Sequence, residues 1–268
     1  MRSALIFLPA LLFDSSAKNQ KIYFMRSFIT KIVLLIVSAP LIVLAACNRE
    51  PIAPAGPDPV VPTNPSQLMP LTQFRALYPG SGTLLVPAGT KKIRGVVVSN
   101  SANEAAGNFR LQDESGAGIY LYTMIGSPVY PLGSVLEIDA AGVGELILFN
   151  GDLELKSVPK EKIVIVPVTL AITARSATCA QILANRNTWA SSLVKISNLT
   201  AITQTATNTT GTTYTLSDGT GSLTMFVRNA SGISVNAAGR SVTGYVSIFK
   251  TSTQDATQIG IRSAADIQ

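Results

Sequence analysis

The hexapeptide Leu111-Gln112-Asp113-Glu114-Ser115-Gly116 returns as Leu216-Ser217-Asp218-Gly219-Thr220-Gly221. Both copies read Leu-x-Asp-x-Ser/Thr-Gly, and each sits between two short strand-like runs. The offset is 216 minus 111, or 105 residues. That is the length of a domain and far beyond a solenoid repeat. The chain is therefore expected to carry two similar small β modules in tandem, over residues 71–165 and 168–268.

In the first module Leu71, Phe74 and Leu77 have helical spacing after Pro70, and Pro79-Gly80 ends the run. Strands are then expected over Lys92–Ser99, Phe109–Asp113, from Gly118 to Tyr122 and over Val135–Ile138, with a fifth strand or a terminal hairpin from Glu145 to Phe149 continuing through Leu153 and Leu155. In the second module a short helix is expected over Thr178–Leu183, with Trp189 packing beside it. Strands follow over Leu193–Leu199, Thr213–Asp218, Ser222–Arg228, Arg240–Phe249 and Thr257–Arg262. Gln204–Thr212 reads as a Thr/Asn-rich loop, and Asn229–Ala238 as a loop of small residues. Five strands with a longer link between the third and fourth suit a small Greek-key barrel of the OB type. The expected fold class is all-β: two tandem small OB-like Greek-key β-barrels, each with a short helix. A pair of sandwiches fits the same strand count.

Ahead of the modules lies an export pattern. Arg26 and Lys31 precede the apolar run Ile32–Val43, which Pro40 interrupts and which is short for a membrane span. Residues 25–46 read as a signal peptide and residues 1–24 as an upstream extension, since Met1-Arg2-Ser3 is echoed by Met25-Arg26-Ser27. Residues 47–70 then form a tether with seven prolines between Asn48 and Pro70, a composition that favours extended backbone.

Charge excludes little. The formal net charge is +6, but five basic residues and one acid precede Cys47, leaving 16 basic and 14 acidic residues, or +2, for the rest. The chain has no His, which removes the commonest general base and metal ligand.

Two resemblances add to this. Leu44-Ala45-Ala46-Cys47 resembles a bacterial lipobox, which implies cleavage before Cys47 and a lipid on its sulfur. Lys92-Ile93-Arg94-Gly95-Val96-Val97-Val98-Ser99 with Phe109–Gly116 resembles an uncharacterised domain of Bacteroidetes outer-membrane lipoproteins. The second half, with Leu216–Gly221 and Ile259–Ile267, resembles an OB-like module found beside it. The resemblance implies an outer-membrane, lipid-anchored location facing the periplasm or the surface, and it supplies no catalytic residue.

Candidate sites follow from strand faces. Asp113 and Gly116, like Asp218 and Gly221, read as turn residues, because Asp accepts hydrogen bonds from nearby backbone N–H groups and Gly tolerates special dihedrals. OB-type barrels bind on the face of strands two and three. Phe109, Arg110, Tyr120 and Tyr122, with Tyr214, Phe226 and Arg228, are the candidate ligand face. Ring stacking beside a guanidinium suits a sugar or a single-stranded base. Alternate aromatics also fit a barrel interior.

No metal, cofactor or catalytic set is expected. Cys179 stands alone as a thiol once Cys47 is acylated, and no Gly-x-Ser-x-Gly elbow occurs. The expected function is a lipid-anchored envelope module that recognises a glycan, protein or other polymer non-covalently. A structural subunit of an outer-membrane complex is the alternative, and an enzyme a distant third. The expected partners are the membrane, through Cys47, and a glycan or envelope protein. Nucleic acid ranks low because few Lys and Arg remain to build a phosphate groove.

Overall fold

A computed structural model describes residues 59–123 and 128–268, which belong to one compact unit. The signal region, the lipobox with Cys47 and the start of the tether lie outside the described residues.

Strand alternation sets every face. In β3 (Phe109–Gln112), Phe109 and Leu111 join the first core while Arg110 and Gln112 point the other way. In β4 (Gly118–Tyr122), Ile119 and Leu121 face that core and Gly118, Tyr120 and Tyr122 face away. β7 (Asp152–Lys156) does the same, with Leu153 and Leu155 inward and Asp152, Glu154 and Lys156 outward. These strands belong to an eight-stranded sheet completed by β1 (Thr83–Leu85), β2 (Ile93–Val97), β5 (Val135–Ile138), β6 (Glu145–Phe149) and β8 (Ile163–Ile165). Its order is β1-β6-β7-β4-β3-β2-β5-β8, with β4 and β7 parallel. Leu71 and Phe74 of the short helix α1 (Leu71–Arg75) are fully buried in the same core.

The second sheet has seven strands: β9 (Arg175–Ser176), β10 (Leu193–Ile196), β11 (Ala201–Thr207), β12 (Gly211–Ser217), β13 (Ser222–Arg228), β14 (Val242–Lys250) and β15 (Asp255–Gly260). Their order is β11-β12-β13-β15-β14-β10-β9, with β13 and β15 parallel. Its core gathers Leu223, Met225 and Val227 of β13, Val242 and Val246 of β14, and Ile259 of β15. Ile182 of helix α2 (Cys179–Trp189) joins them. The helix therefore runs through Trp189, which lies inside it rather than beside it.

The expected pair of closed barrels is corrected by this topology. Closure needs the two terminal strands of a sheet to hydrogen-bond each other. In the first sheet the outer edge of β5 is taken by β8 and that of β7 by β6, which β1 then covers. In the second, β9 occupies the outer edge of β10 and β11 that of β12. Both sheets therefore end open. The stretch read as a Thr/Asn-rich loop contributes one of these strands, because Thr sits well on an exposed, paired strand.

The described end of the tether is held against the first sheet. The Thr63 N–H and hydroxyl both donate to the Glu137 carboxylate, and Arg94 reaches the Thr63 carbonyl and Glu137. Met69 N–H donates to the Lys92 carbonyl at 2.8 Å.

The repeated hexapeptide does one job twice. Asp113 Oδ1 accepts from the Ser115 N–H and hydroxyl, while its Oδ2 accepts from the Leu71 N–H at 2.6 Å. Asp218 Oδ1 accepts from the Thr220 N–H and hydroxyl, while its Oδ2 accepts from the Cys179 N–H at 2.8 Å. Each carboxylate thus shapes its own turn and satisfies the first N–H of a helix, α1 for Asp113 and α2 for Asp218. Gly116 has φ +77°, which only glycine adopts without strain. Gly221 lies against Leu183 and Cys179 of α2.

Candidate functional site

The outward face of the first sheet meets the second sheet in a mixed contact: Val98 packs with Leu193 and Tyr245 in a small apolar cluster, and a polar network lies beside it. Arg110 lies at its centre, 5% exposed. Its Nε donates to Glu104 Oε1, its Nη1 to Ser191 Oγ and its Nη2 to Asp152 Oδ2, each at 2.9 Å. The guanidinium also lies 4.2 Å from the Tyr120 ring centroid and 5.0 Å from that of Tyr245. Burial works against its charge, but the Asp152 and Glu104 carboxylates more than offset that, so its pKa stands above the ordinary value.

Further bonds cross the same seam. Asp152 Oδ1 accepts from the Ile248 N–H, Gln112 Oε1 from the Leu193 N–H and Asn103 Oδ1 from the Arg228 N–H. Arg75 donates to the Gly118 carbonyl and to those of Asn187 and Ala190 at the end of α2, where a cation is favoured. Gly118 is required there, because a Cβ would collide with the Ser191 backbone. Gly260 is required for the same reason, since the Tyr245 ring lies over it.

Beside this seam opens a cleft of about 240 Å³. Its floor is the non-core face of β13, β15 and β14. Thr224 pairs with Gln258, Gln258 with Ser247, Gly260 with Tyr245 and Ala256 with Phe249. Phe226 and Arg228 line the β13 side, with the Arg228 guanidinium 5.8 Å from the Phe226 ring centroid. Phe249 lines the other side, 37% exposed. Facing it is the tip of the β6–β7 hairpin, where Phe149 is 56% exposed. Asn150 (φ 50°) and Gly151 (φ 88°) form the two-residue turn that sets that ring at the rim.

The candidate face of seven residues is divided by this arrangement. Phe109 packs in the first core, 4.9 Å centroid to centroid from Tyr130. Arg110 and Tyr120 are buried in the seam, although both reach the cleft wall. Tyr122 is exposed outside the cleft, and Tyr214 packs against the second core. Phe226 and Arg228 line the cleft. Sequence reasoning missed Phe149, Phe249, Gln258 and Ser247. The Asn150-Gly151 pair was the legible sign of a tight hairpin that exposes its flanking residue. The alternation Tyr245, Ser247, Phe249 was the sign that these three share a face.

No catalytic set is assembled among the described residues. No group of three or more His, Cys, Asp or Glu side chains could hold a metal among them. Cys179 is buried and free, and burial together with the nearby Asp218 carboxylate pushes its thiol up to about 12, far from a thiolate at neutral pH.

No protein-family model and no curated protein matches the chain. Among solved structures it overlaps a murine DNA binding protein bound with double-stranded DNA at TM-score 0.33 and 9% identity, covering 63% of this chain and 90% of that one. It overlaps the Ifi202 HINa domain in complex with 20bp dsDNA at TM-score 0.31 and 12% identity, over 67% and 95%. The p204 HINb domain gives 0.31 and 11%, over 57% and 79%. TM-scores this low carry no argument about the fold or partner of this chain.

These findings correct the envelope reading. The lipoprotein-family resemblance is not reproduced by any family model or curated protein. The glycan- or protein-binding envelope role, the outer-membrane location and the membrane partner through Cys47 drew on that resemblance and on the lipobox and are withdrawn, and the low rank of nucleic acid, which drew on the scarcity of Lys and Arg, is withdrawn with them. No helix among the described residues is long and apolar enough to cross a membrane.

Proposed function

We propose that the protein is a non-catalytic binder of single-stranded nucleic acid, taking one or two unstacked bases into the cleft between its two sheets. The observation that carries this reading is the set of Phe149, Phe226 and Phe249 around one opening, with Arg228 over Phe226. Aromatic rings left beside a cleft, with a guanidinium among them, offer a base its stacking surface and a phosphate its charge.

Charge supports a single strand over a duplex. Residues 168–268 hold seven basic and three acidic side chains, or +4, against eight and nine, or −1, over 71–165. Within the second segment Arg186 and Lys250 pair with Asp255, and Arg262 with Asp266. Arg228 has no carboxylate partner among the described residues. A duplex footprint needs many phosphate contacts, whereas stacking needs few. In this reading the two spans act as two lobes of one binding body, divided near residues 166–168.

Fluorescence anisotropy of labelled ten-nucleotide single strands, titrated with the full chain at low salt, tests this. Saturable binding is expected, weaker for the matching duplex and only mildly salt-dependent. Phe226→Ala is expected to weaken it by about 1–3 kcal/mol, the range for losing one base–aromatic stack. Flat titrations for all single strands would sink the proposal.

A further inference from the structure

The cleft floor continues beyond the cleft onto β12 and β11. Leu223, Met225 and Val227 of β13 and Leu216 of β12 point into the second core. By alternation, Thr224, Phe226 and Arg228 share the opposite face with Thr213 and Thr215. Ile202 turns inward on β11 and leaves Thr203 on that same outer face. One row, Thr203–Thr215–Thr224–Gln258–Ser247, crosses five strands and ends in the cleft. At about 4.8 Å per strand the row is about 19 Å long. Thr213 stands beside Phe226 in the adjoining row. The Phe226 ring leans the same way, since a Cβ on Gly211 of β12 would stand 2.7 Å from its tip.

This face is rich in free donors and poor in charge. The Thr205 and Thr207 hydroxyls are engaged, with the Thr213 carbonyl and with Thr212. Those of Thr203, Thr213, Thr215 and Thr224 hydrogen-bond no other described residue. Thr203 is exposed and the other three are half-buried. From Ala201 to Arg228 the one acid is Asp218 and the one base is Arg228. Asp218 lies in the turn after β12, bound by Thr220 and Cys179. The opposite rim differs, because Phe149 pairs with Asp152 and Glu154 follows on that face.

We infer that the hydroxyl face of β13, β12 and β11 is the bed along which a single strand continues when it leaves the cleft over Phe226. The inference rests on the nucleic-acid reading above and deepens it. Threonine hydroxyls donate to phosphate oxygens, and the bond is charge-assisted although the donor is neutral. The acid-free face accepts an anionic backbone, and the carboxylate-bearing rim turns it away. Such a bed adds affinity with strand length and adds little salt dependence.

The test uses the full chain and labelled oligothymidylates of two, six and ten nucleotides. The six-nucleotide strand is expected to bind at least about tenfold tighter than the two-nucleotide one, the low end for a bond to a charged group. Replacing three hydroxyls together by Thr213→Val, Thr215→Val and Thr224→Val keeps the β-branched shape that suits a strand. This variant should bind the six-nucleotide strand at least about fivefold more weakly, with an unchanged slope of log affinity against log salt. Thr212→Val removes a hydroxyl from the other face of β12 and should change nothing. Equal binding of two and six nucleotides overturns the inference and leaves the nucleic-acid reading standing. So does a triple variant that binds like the parent, a loss as large in Thr212→Val, or a shallower salt slope, which would assign the loss to cations. Absence of binding by every strand overturns both.

Discussion

Arg110 on β3 and Arg228 on β13 each lie over an aromatic ring, at 4.2 Å from Tyr120 and 5.8 Å from Phe226. Their settings differ in what surrounds the pair. Arg110 is held between Glu104 and Asp152 and covered by Ser191 and Tyr245 of the other lobe. Arg228 stands at the rim of a cleft with no carboxylate partner among the described residues. An Arg beside an aromatic ring is thus a structural tie in one sheet and an open surface in the other. The deciding variable is whether carboxylates and a second sheet cover it.

Replacing each arginine by Ala gives the largest expected contrast. Arg110→Ala leaves Asp152 and Glu104 buried without a counter-charge, and such losses cost about 3–5 kcal/mol. Arg228→Ala removes a partly exposed side chain and should stay within about 0.5 kcal/mol of the parent. Urea unfolding of the two variants checks both. Equal losses would erase the distinction between tie and surface.

Glu154 is the next probe, because it sits on the covered face with Asp152. Burial and the Asp152 charge push its carboxyl up to about 7 from an ordinary 4.5. Between those two values the folded state keeps a proton that the unfolded chain has released. Stability therefore falls as pH rises from about 4.5 to 7 and levels off above. Glu154→Gln should abolish that fall and raise stability at pH 8 by about 2 kcal/mol once solvent screening is allowed for. Thermal unfolding of both proteins from pH 4.5 to 8 decides it. Parallel pH profiles would mean that water reaches Glu154 and that this face is less covered than Arg110 implies.

Alternation made much of the sheet interiors legible in advance. Leu111, Ile119, Leu216 and Leu223 are core residues on strands whose period-2 pattern is plain. The hairpin joining β3 and β4 and the one joining β12 and β13 were legible from the Asp-to-Gly turns. The strands that keep the sheets open were not. β1, β8 and β9 span two or three residues each, too short for periodicity to register, and β11 carries Thr and Gln where a loop reads equally well. The seam was also illegible. Gln112 and Leu193 lie 81 residues apart, and nothing local in either marks the other as its partner. Periodicity reports which side chains share a face. It does not report what covers that face, and so Arg110 and Phe226 looked alike.

The two helix-anchoring aspartates give the finest comparison. Asp113 is buried, and the Leu71 N–H it satisfies is buried too. Asp218 is half-buried, and α2 already has a capping box in which Thr178 and Gln181 bond reciprocally. Asp113→Ala should therefore cost about 2 kcal/mol, the upper end for a lost cap, and Asp218→Ala about 1 kcal/mol. Burial disfavours the charged form of Asp218. The Cys179 N–H with the Thr220 hydroxyl and N–H outweigh this and hold its pKa below the ordinary 3.8. Its contribution is then fully present above about pH 4 and disappears as pH falls through the folded-state value. The gap between Asp218→Ala and the parent should close under strongly acid conditions, which chemical unfolding at pH 7, 4 and 2 would follow. A gap unchanged at pH 2 would assign the loss to the turn's packing and not to the charged bond from Asp218 to α2. Equal losses for the two variants at pH 7 would show that the capping box adds nothing to what the carboxylate already provides.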